Sequence, residues 1–317
     1  MKIVMLERNS VGLDIAVDCF EKLGEVRYYG TTAFAEIAER IGEAEVVISN
    51  KVKLNEETLK NCPNVRLIAQ SATGFDNVDL AYCQKRGIRV CNVVNYSTSA
   101  VAQHTFALAL YLLEKLNHYD NYVKSGAYSA QDNFTNYDLT WRELEGKTWG
   151  IIGMGNIGKR VARIAEGFGC RVIHHSLSGQ GSSDYPTVDL DTILKEADFL
   201  SLHCPLSDLS RNLINKETLK KMKKSAYLIN VARGPIVNSA DLLEALNNGE
   251  IAGAGLDVLA KEPMATDDPL YKYPDSNRLI ITPHNAWASI EARENLIHEV
   301  YNNIEAFVQG KERCVVK

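Results

Sequence analysis

Six residues, Gly153-Met154-Gly155-Asn156-Ile157-Gly158, limit what this chain can fold into more than any others. They spell G-x-G-x-x-G, and their neighbours decide what that pattern means. Before them stands a short apolar run, Trp149-Gly150-Ile151-Ile152. Starting within them, Ile157, Val161, Ile164, Ala165 and Phe168 recur at the spacing of one helical face. Gly167 and Gly169 close that helix, and Cys170-Arg171-Val172-Ile173 reads as the next strand. The glycines therefore lie between a buried strand and the start of a helix. In that setting Gly153 permits a tight turn, Gly155 lets a pyrophosphate approach the backbone, and Gly158 lets the helix pack on the strand. The helix opening at Asn156 and Ile157 offers free N–H groups and the positive end of its dipole to phosphate. The pattern alone is also met in glycine-rich turns; the strand–turn–helix–strand order points to dinucleotide binding.

At 317 residues the chain has room for two domains, and 45% apolar content supplies a core for each. The net charge is −5 and no Lys/Arg block stands out, which argues against nucleic acid or an anionic membrane as partner. The opening Met1–Glu7 is strand-like and too short for a signal-peptide core. The most apolar helical stretch, Val101–Leu113, contains Gln103 and His104 and is too short to span a bilayer. Seven cysteines without a C-x-x-C read as reduced, buried thiols of a cytoplasmic protein, with no disulfide framework and no metal site.

From Met1 to about Val94 apolar runs alternate with helical patterns. Strands are expected at 3–6, 26–29, 46–49, 67–69 and 88–94, and helices at 12–23, 33–41, 56–61 and 78–86. Such alternation implies a parallel sheet with helices on both faces. Glu7-Arg8-Asn9-Ser10 follows the first strand, so this half lacks a nucleotide fingerprint. Ser99 is placed to cap one long helix over 100–124. Its first half is apolar nearly all round, which suits a domain junction or a subunit interface. Residues 119–140 are polar and aromatic, an excursion rather than core. Further strands are expected at 199–202, 227–230, 253–258 and 279–282, and an amphipathic helix over 289–308.

Three polar residues follow expected strands, where open α/β sheets bind ligands. Arg233 follows Asn230-Val231-Ala232, Glu262 follows Ala260-Lys261, and His284 follows Thr282-Pro283. An arginine can grip a carboxylate through two parallel hydrogen bonds. A histidine exchanges protons near neutrality, and a neighbouring carboxylate favours its charged form. Each residue also has a plainer reading: a helix cap for Arg233, a solvated loop charge for Glu262, a satisfied loop histidine for His284.

Taken in order, Asn230-Val231-Ala232-Arg233-Gly234, Gly255-Leu256-Asp257-Val258 with Glu262-Pro263, and Thr282-Pro283-His284 resemble the three signature blocks of the D-isomer-specific 2-hydroxyacid dehydrogenases. Gly153–Gly158 is similar to that family's cofactor loop, and Leu202-His203-Cys204-Pro205-Leu206 to its stretch against the adenine. Ser71–Asp79 resembles its substrate-carboxylate loop. Tyr96-Ser97-Thr98 with Val101-Ala102-Gln103 resembles its interdomain hinge, with Gln103 where many members have Glu. The resemblance spans nearly the whole chain.

That resemblance implies a fold class, an activity and a set of roles. The fold class is α/β, with two Rossmann-like, doubly wound parallel-sheet domains. A discontinuous flavodoxin-like substrate domain would comprise 1–98 and 286–317, and an NAD(P)-binding Rossmann domain 99–285, with catalysis in the cleft they close on. Arg233 would bind the substrate carboxylate and polarise the C2 carbonyl. His284 would donate the proton in reduction, and Glu262 would pair with it and hold it charged. Asp257 would bond the nicotinamide carboxamide, with Val231, Ala232, Cys204 and Pro205 beside the cofactor. Backbone N–H groups of Ala72, Thr73 and Gly74 would take the other carboxylate oxygen.

One departure concerns the cofactor. Where NAD-preferring members place an acid to hold the ribose, this chain has His174-His175-Ser176-Leu177-Ser178-Gly179. No acid repels a 2′-phosphate and no Arg or Lys grips one, while Ser176 could bond either ribose; NAD and NADP both stay open. His174 and His175 read as ordinary strand-end residues. The substrate expected is a small 2-oxoacid. The 72–74 loop and residues 133–141 look closest to glycerate dehydrogenases, also called hydroxypyruvate or glyoxylate reductases. D-lactate and phosphoglycerate dehydrogenases share the core. An NAD-binding corepressor-like sensor is the alternative of a different class. The aromatic segment 127–147 and the apolar helix suggest a homodimer.

Overall fold

The computed structural model describes residues 1–179 and 184–316. The chain forms two compact units, Met1–Ser97 with Ala288–Lys317, and Thr98–Trp287. In the first unit β1 (Lys2–Met5), β2 (Glu25–Tyr28), β3 (Val46–Ser49), β4 (Leu67–Gln70) and β5 (Arg89–Cys91) make one sheet. Its order is β2-β1-β3-β4-β5 and every pairing is parallel. This is the flavodoxin-like order. Val4, Val47, Ile68 and Val90 are register partners across four strands. They pack with Ile37 and Ile41 of α1 (Ile37–Ile41), Leu59 of α2 (Glu56–Leu59) and Cys83 of α3 (Leu80–Lys85). The alternate residues Ile3, Met5, Val46, Ile48 and Leu67 are equally buried, so both faces are covered.

The helix expected over 12–23 does not form; two 3-10 turns, Arg8–Val11 and Asp18–Leu23, stand there. Gly12 takes a φ of 81°, and the Arg8 guanidinium donates to the carbonyls of Gly12 at 2.7 Å and Ile15 at 2.6 Å. Those acceptors are the ones a continuing helix would need.

The second unit opens with α4 (Thr98–Leu113) and α5 (Leu116–Lys124), where a single helix was expected. Lys115 breaks it: its φ is 57°, and its ammonium donates to the Tyr227 hydroxyl and the Asn277 carbonyl, each at 3.2 Å. α4 is buried on several sides, through Val101, Ala102, Phe106, Leu108, Ala109 and Leu112. After it come β6 (Thr148–Ile152), α6 (Asn156–Gly167), β7 (Arg171–His175), α7 (Leu190–Glu196), β8 (Phe199–Leu202), α8 (Lys216–Lys221), β9 (Tyr227–Asn230), α9 (Ser239–Asn247), β10 (Gly253–Leu256) and β11 (Leu279–Ile281). The sheet order is β11-β10-β9-β8-β6-β7, again wholly parallel. Beyond β7, Thr187 makes one parallel bridge to His174. That bridge stands where the doubly wound order 3-2-1-4-5-6 has its third strand, which puts the switch of chain direction at β6.

Both faces of this sheet are apolar, with a period of two. Ile152, Leu200, Leu202, Leu228, Ala254 and Leu256 pack under α7, α8 and α9. Trp149, Ile151, Val172, Phe199, Tyr227 and Ile229 pack with α4 and α6. Phe106, Trp149, Phe199 and Tyr227 stack in series at centroid spacings of 4.5, 5.0 and 5.2 Å, which ties α4 to three strands. The closing helix α10 (Ile290–Val308) returns to the first unit. Ser289 caps it, Leu296, Ile297, Val300 and Ile304 are buried, and Arg293 holds Asp14 with both terminal nitrogens at 2.7 and 2.8 Å. Among the described residues no helix is long and apolar enough to cross a membrane. The two-sheet α/β fold class is the expected one; the local departures come from side chains that compete for backbone groups.

Candidate active site

β6 delivers the chain to the glycine loop at the switch point of the second sheet. Gly153 sits there with a φ of 98°, and a Cβ on it would lie 2.5 Å from the amide nitrogen of Cys204. The first glycine therefore both turns the chain and lets the 203–204 segment pass. A Cβ on Gly158 would lie 2.3 Å from the carbonyl oxygen of Gly153, so α6 rests directly on the turn. Gly155, the N-cap of α6, has nothing within 4 Å of its missing Cβ. Asn156 is exposed and Ile157 half-buried on the first turn of this 12-residue helix. Two crowded glycines and one open to solvent make a cradle whose free side admits a phosphate.

The cradle's flank is uncharged. Burial drives the His203 imidazole down to about 3 and the Cys204 thiol up to about 11, so both are neutral near pH 7. Pro205 next to them is exposed. At the end of β7, burial lowers the His174 pKa, with His175 beside it adding to the effect. His174 Nε2 meets the Thr187 hydroxyl at 2.9 Å, and His175 Nδ1 meets the Val188 carbonyl at 2.9 Å. Both rings thus hold the Thr187 segment to β7. The half-buried Ser176 follows, with its hydroxyl 3.3 Å from that of Ser178. Part of the loop after β7, residues 180–183, lies outside the described residues.

β9 ends in Asn230, a fully buried polar residue after an apolar strand. Its side chain accepts from the Ala232 N–H at 3.1 Å and donates to the Arg233 carbonyl at 3.0 Å. The turn carrying Val231, Ala232 and Arg233 is thereby fixed, and Val231 and Ala232 are buried. Arg233 donates to the Ala232 carbonyl at 2.8 Å through one terminal nitrogen. Sequence reading passed over Asn230, although an amide closing an otherwise apolar strand was a signal.

β10 leads to Asp257, whose side chain is 1% exposed. One carboxylate oxygen accepts from the Thr282 hydroxyl at 2.6 Å and the Asn285 N–H at 3.0 Å; the other accepts from the Ala286 N–H at 2.9 Å. The His284 N–H donates to the Asp257 carbonyl at 2.7 Å and to the Thr282 carbonyl at 3.0 Å. Asp257 therefore clamps the whole turn that follows β11. In that turn His284 has a φ of 55°, a left-handed conformation unusual for a residue with a side chain. The turn aims its ring at Glu262: Nδ1 lies 2.7 Å from one Glu262 oxygen, and the other oxygen accepts from the Leu259 N–H at 3.0 Å. Nδ1 is thus committed to a carboxylate, and Nε2 is the nitrogen left for chemistry. The structure brings Glu262 and His284, 22 residues apart, into one hydrogen-bonded pair. It also exposes two partners that motif reading missed, Thr282 and His104, whose Nε2 lies 3.0 Å from the Thr282 hydroxyl.

In the first unit, the loop after β4 contains Ala72, Thr73 and Gly74. The Ala72 carbonyl accepts from the Val93 N–H at 3.0 Å, and the Thr73 carbonyl from the Asn92 amide at 2.8 Å. The Thr73 hydroxyl donates to the Val93 carbonyl at 2.8 Å. Among the described residues none of the three N–H groups is used in a hydrogen bond, which leaves donors suited to an anion. The preceding loop is held by Glu7, whose carboxylate accepts from the N–H groups of Asn50, Lys51 and Val52 at 2.8 to 3.2 Å. Glu7 stands where a nucleotide-binding half has its glycines. Among the described residues no cluster of three His, Cys, Asp or Glu could hold a metal.

A family model described as D-isomer specific 2-hydroxyacid dehydrogenase, NAD binding domain, matches residues 106–286. A glycerate dehydrogenase of Methylorubrum extorquens is 42% identical over 317 residues, covering 100% of this chain and 99% of that one. A hydroxypyruvate reductase of Blautia hydrogenotrophica is 35% identical, with coverage of 100% and 99%. Among solved structures, a D-lactate dehydrogenase from Aquifex aeolicus complexed with NAD and lactic acid superposes with a TM-score of 0.84 at 31% identity, covering 98% and 96%. With a family match over more than half its length and full-length relatives well above 30% identity, this chain belongs to the D-isomer-specific 2-hydroxyacid dehydrogenases.

Proposed function

We propose that the protein reduces a small 2-oxoacid to the D-2-hydroxyacid with NADH or NADPH, and that hydroxypyruvate or glyoxylate, giving D-glycerate or glycolate, is the substrate. The observation that carries this reading is the His284–Glu262 pair on a turn clamped by a buried aspartate. Reduction adds a hydride to C2 and a proton to its oxygen, and hydride supply is the chemistry a bound nicotinamide brings. The glycines 153, 155 and 158 with the first turn of α6 suit its pyrophosphate. His284 Nε2 holds the proton and passes it to the carbonyl oxygen, while Glu262 fixes the ring through Nδ1. Arg233 takes a carboxylate oxygen and stabilises charge as it grows on the substrate. In the first unit, Ala72, Thr73 and Gly74 present N–H groups suited to a carboxylate. Similarity to a glycerate dehydrogenase and a hydroxypyruvate reductase supports the three-carbon substrate.

A homodimer formed through the second unit is part of the proposal. Phe134 is 84% and Tyr137 74% exposed, with Trp141, Tyr128 and Val123 also open, an apolar surface that a second copy would cover. Seven free cysteines, five of them buried, suit a reducing compartment such as the cytoplasm.

The test is absorbance at 340 nm with hydroxypyruvate, glyoxylate, pyruvate and a bulkier 2-oxoacid, each with NADH and with NADPH. Fast oxidation of one cofactor with hydroxypyruvate is expected, and the faster cofactor settles what Ser176 accepts. No turnover with any pair, despite dinucleotide binding, overturns the proposal in favour of a sensor. A second expected result concerns Glu262→Gln. The Leu259 N–H and the His284 Nδ1–H each use a separate Glu262 oxygen, and an amide offers only one. One donor loses its acceptor, so kcat falls by about 10- to 100-fold with the fold intact, as orienting carboxylates elsewhere lead one to expect. Wild-type kcat in this variant would show that the pairing is not needed.

A further inference from the structure

The hydrogen positions around Asp257 follow from its partners. Both of its carboxylate oxygens act as acceptors, from the backbone N–H groups of Asn285 and Ala286. The Thr282 oxygen lies 2.6 Å from one of them, so the hydroxyl proton must lie between the two. With its single proton spent there, the Thr282 hydroxyl can only accept from His104 Nε2 at 3.0 Å. His104 therefore carries its proton on Nε2, and the same nitrogen lies 3.5 Å from the Asp257 oxygen. The relay runs from α4 through Thr282 to the carboxylate that holds the His284 turn.

We propose that His104 is a positioning residue for the reaction: its Nε2–H locks the Thr282 hydroxyl onto Asp257, and Asp257 so locked presents His284. This rests on the dehydrogenase reading. The 1% exposed carboxylate of Asp257 has little water to replace a lost donor, so each protein donor is felt. Without His104 the hydroxyl is free to rotate away, and the shortest bond on Asp257 goes with it. His104 itself is 22% exposed and is not among the apolar side chains that form the core around α4.

The experiment compares His104→Leu, His104→Gln and Thr282→Val, alone and as the Leu/Val double variant, in the full-length enzyme with the 2-oxoacid that the wild type turns over. His104→Leu should lower kcat by about 10-fold, with a thermal midpoint lowered by no more than about 4 °C and dinucleotide affinity shifted less than about twofold. His104→Gln, which keeps an N–H at the end of its side chain, should recover most of the loss. The double variant should be no slower than Thr282→Val, since both substitutions cut one relay. Wild-type kcat in His104→Leu, failure of Gln to do better than Leu, or additive losses in the double variant would each overturn the proposal. An inactive wild type would instead overturn the dehydrogenase reading, and there the imidazole nitrogen resonances of His104 still decide: a proton on Nε2 supports the relay, and an Nε2 without one ends it.

Discussion

Replacing His284 with alanine should lower the rate of 2-oxoacid reduction by roughly 10²- to 10⁴-fold, the usual contribution of a positioned general acid. The loss should fall on kcat, with dinucleotide affinity shifted by less than about twofold, because the imidazole is proposed to act on the reacting oxygen rather than on the cofactor phosphates. The geometry makes this a clean excision. The turn that carries His284 is held by its backbone: the His284 N–H donates to the carbonyls of Asp257 and Thr282, and the N–H groups of Asn285 and Ala286 grip the Asp257 carboxylate. None of those bonds involves the imidazole, so all survive its removal. The ring is 26% exposed and the Glu262 side chain 32%, so water can reach the carboxylate once its partner is gone. Steady-state rates at saturating oxoacid, with cofactor binding followed by fluorescence, measure both quantities. Turnover equal to wild type would remove His284 from the chemistry and with it the central pair.

How much of this site could be read beforehand follows from the kind of interaction involved. The alternation of apolar runs and helical patterns reflects burial on both faces of each sheet, and burial leaves a periodic trace. Trp149, Ile151, Phe199, Tyr227 and Ile229 on one face and Ile152, Leu200, Leu202 and Leu228 on the other are that trace. The glycine loop was legible because its pattern is local: Gly158 is crowded by Gly153 itself, Gly153 takes a φ of 98° beside residues 203–204, and Gly155 between them is left open. The two 3-10 turns at 8–11 and 18–23 were not legible, because the Arg8 guanidinium that takes the Gly12 and Ile15 carbonyls carries no periodicity. The same holds for Lys115, which leaves the helix to reach Tyr227 and Asn277, more than 100 residues further on. Arg233, Glu262 and His284 could be named from family motifs, yet spacing alone left each with an ordinary alternative. Asn230, Thr282 and His104 escaped because their work is visible only once β9, β10, β11 and α4 are side by side. A hydrogen-bond relay assembled from four elements has no sequence period.

The other large effect expected is at Gly234, where alanine should remove most activity and lower stability together. A Cβ built there would lie 1.8 Å from the carbonyl carbon of Leu259, 2.0 Å from its oxygen and 2.4 Å from the nitrogen of Ala260. All three are backbone atoms, so no rotamer change relieves the overlap and one loop must move. Overpacking of this kind costs about 1–3 kcal/mol, or more where the backbone resists. In a unit of this size that lowers Tm by roughly 2–4 °C per kcal/mol. The functional loss should be larger than the stability loss, because the two segments in collision carry the site. Gly234 is the neighbour of Arg233, which the Asn230 side chain holds from the other direction. The Leu259 N–H is the donor that fixes one Glu262 oxygen, and the other oxygen holds His284. Parting these loops moves the arginine proposed to bind the carboxylate away from the pair proposed to donate the proton, and a displacement of about 1 Å is enough for a 10²-fold loss of kcat/KM. Soluble Gly234→Ala protein with a reduced Tm and kcat/KM down by at least that factor is the expected result. Unchanged melting and unchanged rates would show that the Leu259–Ala260 segment yields without disturbing Glu262, and that close packing at this glycine does not set the geometry of the site.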